Sequence, residues 1–171
     1  EGEGEGEGEG ECTSYGPPAT AEVGAGCAET TECATEACLD TDTLTSFVTM
    51  AGGECPEGGC TVEGGYCFMM NCKLDGGDAC TAENKGICFD LEPLIGADAA
   101  KILGSMCLRP CCDDTDCSES QECFDFKEQF PEEASVYDQA KVCLAPGVVE
   151  LVNTIAAANN GGKKLIVNVN E

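Results

Sequence analysis

The sequence predicts a small disulfide-rich fold that is mostly irregular, with a few short helices, internally repeated cysteine modules and extended N- and C-terminal arms. Three observations lead to this prediction. Sixteen cysteines stand in a chain of 171 residues that contains no histidine. A short cysteine loop recurs along the middle of the chain, and the two ends lack this loop.

Composition bears on whether the chain is ordered. Leu, Ile, Val and Phe make up 31 of 171 residues, about 18%, and 33 acidic against 8 basic residues give a net charge of −25. Such a composition is typical of disorder, because too little apolar surface can be buried to offset chain entropy. A disulfide stabilises a fold by roughly 2–4 kcal/mol. We therefore expect eight disulfides to order a chain with a small core.

An even number of cysteines without histidine favours disulfides over a metal site. Structural zinc sites use Cys-x-x-Cys pairs, and the nearest spacing here is Cys107-x-x-x-Cys111. The missing Cys-x-x-Cys also disfavours a thiol oxidoreductase. We expect no cofactor and an oxidising compartment, which is an organelle lumen or the cell exterior and surface. The predicted disulfide cysteines are Cys12, Cys27, Cys33, Cys38, Cys55, Cys60, Cys67, Cys72, Cys80, Cys88, Cys107, Cys111, Cys112, Cys117, Cys123 and Cys143.

Two long segments have matching ends. Cys88-Phe89-Asp90 leads to Cys107-Leu108-Arg109-Pro110, and Cys123-Phe124-Asp125 leads to Cys143-Leu144-Ala145-Pro146, with the end cysteines 19 and 20 positions apart. This similarity predicts an internally duplicated disulfide scaffold. Connectivity does not follow from spacing, except that the adjacent Cys111 and Cys112 must face different partners.

Four short loops share a small residue after the first cysteine, an internal Glu and an apolar residue after the second cysteine. They run from residues 33 to 38, 60 to 67, 80 to 88 and 117 to 123. The predicted division is an acidic arm and linker in 1–26, two modules in 27–72, two modules with short helices in 72–146, and an interaction tail in 147–171. Leu39, Phe68, Phe89 and Phe124, which follow the loops, are expected in the core; an exposed aromatic binding row is the alternative.

Helical spacing of apolar residues predicts one helix from Pro93 to Met106 and another from Pro131 to Lys141, each ending near a cysteine. The Thr-rich insert 39–54 predicts a strand or loop.

The N-terminal arm consists of Glu-Gly repeats that oppose regular structure. It is either a solubilising tail or a contact for a basic partner surface, through Glu1, Glu3, Glu5, Glu7 and Glu9. Residues 12–25 are expected to form an extended link stiffened by Pro17-Pro18.

The last 25 residues lack cysteine. Val148, Leu151, Val152 and Ile155 predict one apolar helical face that stops at Asn159-Asn160-Gly161-Gly162. Leu165, Val167 and Val169 alternate as in a strand. This tail either packs on its own body or binds another chain, including a further copy in a homopolymer.

Charge and chemistry exclude several functions. The acidic chain disfavours nucleic acid, and no stretch approaches the ~20 apolar residues of a membrane span, which leaves a soluble or peripheral protein. Without histidine, Ser-His and Cys-His catalysis are excluded, and we expect no enzyme.

Asp113, Asp114, Asp116 and Glu119 are weak calcium candidates, since no EF-hand loop is present.

In general makeup the chain resembles two kinds of algal protein: acidic cysteine-rich repeats of cell surfaces, and cysteine-rich lumenal accessory or linker subunits of photosystem–antenna assemblies. The resemblance covers composition and architecture and transfers no binding residue. For the lumenal kind it implies the thylakoid lumen as the compartment. From the two ends that the cysteine scaffold leaves free, we expect a non-enzymatic structural linker that holds neighbouring proteins through its terminal arms. The alternative is a secreted or cell-surface binding module: a calcium-dependent adhesive or filament-forming repeat, or a protease inhibitor.

Overall fold

The structure is a computed structural model that describes residues 12–50, 54–55, 60–74, 80–97, 100 and 104–159. The side chains of residue 95 and of residues 155–159 lie outside this description. Helices are α1 (Thr41–Met50), α2 (Glu92–Ile95), α3 (Phe126–Gln129) and α4 (Pro146–Asn159). Strands are β1 (Cys38–Leu39), β2 (Tyr66–Cys67), β3 (Met69–Met70), β4 (Ile87–Asp90), β5 (Ser105–Leu108), β6 (Glu122–Asp125) and β7 (Lys141–Leu144). Three 3-10 turns span Thr30–Glu32, Asp114–Asp116 and Glu133–Val136.

All sixteen cysteines lie in the described part of the chain and form eight disulfides, with none free. The small, disulfide-rich character with few helices is thereby confirmed. Small sheets are present as well, which the sequence analysis did not predict. Cys111 pairs with Cys123 and Cys112 with Cys12, so the prediction that these neighbours face different partners is confirmed.

Twelve of the cysteines form three sets of four, and every set has the same pairing order. The first cysteine of a set pairs with the third, and the second pairs with the fourth. The sets are Cys27, Cys33, Cys38 and Cys67; Cys72, Cys80, Cys88 and Cys107; and Cys111, Cys117, Cys123 and Cys143. The other two bridges are Cys55–Cys60 and Cys12–Cys112.

The third and fourth cysteines of each set lie opposite each other on paired antiparallel strands. The register places Cys38 opposite Cys67 in β1–β2, Cys88 opposite Cys107 in β4–β5, and Cys123 opposite Cys143 in β6–β7. Each of the two cysteines is bonded to the loop that precedes the first strand. That loop is therefore attached covalently to both strands, although the strands are only two to four residues long.

The sheets are small, and each contains the strand pair of one cysteine set. β1 pairs with β2, and β6 with β7, while β5 lies between β3 and β4 in a three-stranded sheet. The predicted loop from Cys60 to Cys67 is not a unit of this kind, because Cys60 bonds to Cys55 and Cys67 bonds to Cys33.

Apolar residues beside the paired cysteines supply the core. Leu39, Phe68, Phe89 and Phe124 are 0%, 2%, 2% and 8% exposed, so their predicted core position is confirmed. The fourth cysteine of each set also has buried neighbours on both sides, which are Tyr66 and Phe68, Met106 and Leu108, and Val142 and Leu144.

Aromatic rings join the second and third sets. The Phe89 ring lies 4.9 Å from that of Phe126 and 4.2 Å from that of Tyr137, in stacked arrangements. Phe126 also meets Phe124 edge-on. Aromatic pairs at such distances stabilise beyond their buried area, so the two hairpins are held together by ring packing as well as by the chain.

An aspartate two positions after the third cysteine receives backbone hydrogen bonds in every set. Asp40 accepts from Thr43 N at 2.8 Å, Asp90 from Glu92 N at 3.0 Å, and Asp125 from Lys127 N at 2.9 Å. These N–H groups lie in the first turns of α1, α2 and α3, where donors have no partner within the helix. The Asp therefore turns the chain from strand to helix.

The insert after the first hairpin strand differs from its prediction. Residues 39–54 were expected to be a strand or loop, but Thr41–Met50 form α1. Leu44 and Val48, four positions apart, are buried on one face, and Asp40 caps the first turn. These contacts outweigh the weak helix propensity of the four threonines in the insert.

The two predicted long helices are wrong in extent. After Pro93 the helix α2 ends at Ile95, Ala97 and Ala100 are helical again, and Met106 lies in β5, opposite Phe89; the expected helical residues Ala99, Ile102 and Leu103 lie outside the described residues. After Pro131 only the 3-10 turn Glu133–Val136 forms, with Val136 67% exposed, and Lys141 lies in β7. In both cases strand pairing at the closing cysteine prevails over helical spacing.

The C-terminal helix α4 packs on the body of the protein. Val148, Leu151 and Val152 are 3%, 6% and 7% exposed and belong to the main core. The structure therefore corrects their assignment to a partner surface, because their apolar area is already covered by this chain. Within the described residues, no helix is long and apolar enough to cross a membrane.

The first turn of α4 approaches the backbone of Thr61 closely. A Cβ on Gly147 would lie 2.2 Å from Thr61 O and 2.9 Å from Thr61 N. Backbone atoms cannot move aside as the end of a flexible side chain can, so only glycine allows α4 to dock here.

We expect Gly147→Ala to lower the free energy of unfolding by about 1–3 kcal/mol through overpacking. The control is Gly26→Ala, because a Cβ at Gly26 meets nothing within 4 Å. Guanidinium denaturation of both variants measures the difference. Equal stability of the two variants would contradict the docking described here.

Candidate functional site

The surface of the protein is strongly acidic. Five of the eight basic residues lie in the described part of the chain, and several of these interact within the chain. Arg109 is buried, Lys141 Nζ lies 3.8 Å from an oxygen of Asp125, and Lys85 Nζ lies 5.3 Å from the centre of the Tyr15 ring. These three positive charges are therefore directed to groups of the same chain.

A cleft of about 520 Å³ at the start of α4 concentrates carboxylates. Glu63, Glu119, Glu122 and Glu150 line it together with Thr61, Ser120, Gln121, Pro146 and Gly147. All four glutamates are exposed, and no Lys or Arg of the described residues lines the cleft. Their negative potentials add, because no positive group stands between them.

Three separate parts of the chain form the walls of this cleft. The backbone contact between Gly147 and Thr61 holds α4 against the segment that carries Glu63. Glu122 begins β6, and Ser118 donates a hydrogen bond of 2.8 Å to Gln121, which fixes the turn with Glu119. Glu63 and Glu119 are internal glutamates of two of the short cysteine loops, but no local pattern joins all four glutamates, so sequence reasoning singled out only Glu119 as a candidate ligand.

The structure divides the predicted calcium candidates. Asp113 accepts from Thr115 N at 2.9 Å, Asp114 from Cys123 N at 2.8 Å, and Asp116 from Cys112 N at 2.7 Å. Asp113 and Asp116 cap their own 3-10 turn, Asp114 joins this turn to β6, and Glu119 lines the acidic cleft. The four residues are therefore not brought together around one point in the described structure.

The sulfur atoms of two cysteine groups lie close enough for a metal ion. Cys27, Cys33 and Cys67 have sulfur atoms within 4.8 Å of one another, as do Cys111, Cys117 and Cys143. Zinc is bound by thiolates, and each of these sulfurs is bonded in a disulfide. In the oxidised protein these groups are structural.

Arg109 is the only arginine of the chain and is 1% exposed. Its Nη2 and Nε donate to Gly16 O at 2.7 and 2.9 Å, and its Nη1 donates to Val23 O at 3.2 Å and lies 3.1 Å from Glu22 Oε2. A guanidinium presents several N–H donors in a fixed plane, so it can satisfy several acceptors at once. Arg109 thereby fastens the N-terminal segment to the body.

These contacts correct the prediction that residues 12–25 form an extended link. Backbone hydrogen bonds join Val23 N to Asn84 O at 3.1 Å and Gly24 N to Cys67 O at 2.9 Å. Val23 and Ala25 are buried. Residues 15–25 are thus an integral part of the fold, and sequence analysis missed the part played by Arg109, whose only local signal was its place after the apolar Leu108.

Hydrogen bonds lower the pKa of several carboxylates. The N–H and hydroxyl of Thr43 lower the pKa of Asp40, and the backbone N–H of Ala19, assisted by Arg109, lowers that of Glu22. The Ser14 hydroxyl, with the backbone N–H groups of Cys112 and Asp113, lowers the pKa of Asp116. Each of these groups stabilises the fold in its charged form.

The predicted partner-binding residues at both ends stay untested. Glu1, Glu3, Glu5, Glu7 and Glu9 lie outside the described residues, as do Leu165, Val167 and Val169. Ile155 lies in α4, but its side chain is outside the description.

Comparison of the chain with protein-family models, with curated proteins and with solved structures found no match.

We expect Arg109→Met to lower the free energy of unfolding by about 3 kcal/mol, because it removes the cation beside Glu22 and the donors to buried carbonyls. Amide exchange at Val23 and Gly24 should become faster. Lys127→Met, at an exposed position of α3, is the matched control and should change stability by less than about 0.5 kcal/mol. Unchanged amide exchange in the Arg109 variant would contradict the attachment of the N-terminal segment by Arg109.

The Asp40 cap predicts a defined pH dependence. A carboxylate whose pKa is lowered by folding contributes stability above its unfolded pKa of about 4 and loses it as the pH falls through the folded value. Asp40→Asn keeps the cap but removes the charge. The free energy of unfolding of the wild type should therefore exceed that of this variant at pH 6, and the difference should shrink as the pH is lowered to 3. Asp42→Asn, which removes a charge without touching the cap, should show a smaller change. Urea unfolding at both pH values measures these free energies. A difference that grows at low pH would contradict the stabilisation of the fold by the charged form of Asp40.

Proposed function

We propose that this protein is a non-enzymatic structural linker or binding subunit, a rigid disulfide body that holds basic surfaces of neighbouring proteins. The observation that carries the proposal is the acidic surface with its four-glutamate cleft. At a net charge of −25, complementary charge steers a basic partner and selects against acidic ones. The many disulfides suggest an oxidising or secreted environment.

Rigidity supports a linker function. A preorganised surface loses little conformational entropy when a partner binds, and the cleft is formed by a helix, a strand and a turn that are fixed by close contacts. Helix α4 packs on the body through Val148, Leu151 and Val152. The proposal includes additional contacts of the termini with neighbouring chains, including other copies of this chain.

The absence of histidine from the sequence supports a non-enzymatic function. The calcium-dependent alternative is less well supported, because Asp113, Asp114 and Asp116 already accept backbone hydrogen bonds. Membership of a lumenal photosynthetic assembly, or of a cell-surface layer, stays a prediction from the compositional resemblance.

The test is calorimetric titration of the protein with a short Ala/Lys peptide, with the corresponding Ala/Glu peptide as the negative probe. Glu63→Gln, Glu119→Gln, Glu122→Gln and Glu150→Gln are combined in one variant. We expect this variant to bind the lysine peptide about tenfold more weakly, which corresponds to about 1.4 kcal/mol. Binding should also weaken in salt, since screening shortens the reach of the charges.

The matched control carries the same change of net charge outside the cleft: Glu36→Gln, Glu83→Gln, Glu128→Gln and Glu132→Gln, all at exposed positions. The same titration on a chain of residues 12–159, which lacks both terminal segments, measures binding by the cleft without them. Equal weakening in the two glutamine variants would show that only net charge matters and would remove the cleft from the proposal. No binding of the lysine peptide by the full chain would overturn the proposed function.

A further inference from the structure

One disulfide differs from the other seven in its exposure. Cys12 is the only exposed cysteine among the sixteen, all of which lie in the described residues. Its partner Cys112 is half-buried. The remaining half-buried cysteines, Cys55, Cys88 and Cys123, each bond to a cysteine that is at most 5% exposed.

The N-terminal segment is held by two separable means. From Tyr15 to Val23 it is held by the buried Arg109, which donates to Gly16 and Val23 and faces Glu22. Before Tyr15 it is held by the Cys12–Cys112 bridge, by Thr13 N donating to Gln139 Oε1 at 3.1 Å, and by Ser14 beside Asp116. The covalent attachment is thus exposed, whereas the noncovalent clamp is buried.

We propose that the Cys12–Cys112 bridge is a reducible tether, which a dithiol reductant opens selectively to free the chain before Tyr15 while the rest of the fold stays intact. Disulfide exchange requires a thiolate to reach one of the two sulfurs, and Cys12 is the one exposed residue among the sixteen cysteines. Six of the seven other bridges lie within the three sets, the seventh joins Cys55 to Cys60, and Arg109 holds residues 15–23. Opening the tether therefore removes no contact on which these parts depend.

Opening of the bridge is a thiol–disulfide exchange that begins at Cys12, the exposed residue of the pair. A thiolate of the reductant attacks the Cys12 sulfur, the disulfide bond breaks, and Cys112 leaves as a thiolate that takes up a proton. The second thiol of the reductant loses its proton and attacks the mixed disulfide, which releases Cys12 as a thiolate that is then protonated. Two electrons pass to the protein, and the reductant becomes a disulfide.

The freed segment begins with six glutamates in residues 1–11. Reduction would therefore change how an acidic segment is attached to the body without changing net charge or the cleft. The tether does not depend on the function proposed above, since its opening is measured without any partner.

The first test is limited reduction of the native full-length chain with graded dithiothreitol, followed by alkylation and peptide mapping. We expect Cys12 and Cys112 to be labelled together, at reductant concentrations about tenfold below those that label any other pair, because exchange follows access. Cys55–Cys60 is the internal comparison, since it also lies outside the three sets. Labelling of any other pair first, or of all pairs together, would overturn the proposal.

The second test separates a tether from a structural bridge. In Cys12→Ser/Cys112→Ser, amide exchange at Thr13 should become at least about tenfold faster, while the amides of Val23, Gly24 and Ala25 keep their protection. Cys55→Ser/Cys60→Ser is the matched control and should leave Thr13 unchanged. Lost protection at Val23 to Ala25 in the first variant would overturn the proposal, as would unchanged exchange at Thr13.

Discussion

The fold depends on the crossed pairing of cysteines within each set of four. Each hairpin has strands of two to four residues, and an isolated two-stranded hairpin is at best marginally stable in water. Bonding the preceding loop to both strands, as Cys111–Cys123 and Cys117–Cys143 do in the third set, restricts the unfolded chain and fixes the register at once. The apolar residues beside those cysteines then need to form only a small core, which is all that this composition allows.

Arg109 connects the parts that the cysteine sets leave separate. Its side chain holds Gly16 and Val23 of the N-terminal segment, and its carbonyl accepts from Cys143 N in the third set at 2.8 Å. The next residue, Pro110, pairs with Val142. The segment that leaves the second set therefore continues along the hairpin of the third set, and one residue joins three regions of the chain. This continuity explains how short sheets produce a body rigid enough to carry an acidic cleft.

Sequence reasoning recovered what depends on residue type and missed what depends on contacts between distant residues. Full disulfide pairing and the burial of Leu39, Phe68, Phe89 and Phe124 followed from composition and local pattern. The strands did not, because the apolar spacing before Cys107 and Cys143 also fits a helix, and only pairing with the strands of Cys88 and Cys123 decides between them. The cleft was missed for the same reason: Glu63, Glu119 and Glu150 are far apart in sequence and meet only when α4 docks on Thr61.

The strand register places two cysteines close together that must not bond to each other when the chain is oxidised. Directly opposite residues of antiparallel strands have Cα atoms about 4.5–5.5 Å apart, and disulfides span about 4.4–6.8 Å. In every set the third and fourth cysteines lie opposite each other, as Cys88 and Cys107 do, yet each bonds elsewhere. A nearby incorrect partner is thus present in all three hairpins, and a hairpin that forms before its loop docks favours that partner. We therefore expect maturation to include disulfide shuffling, by which mispaired isomers convert to the native form.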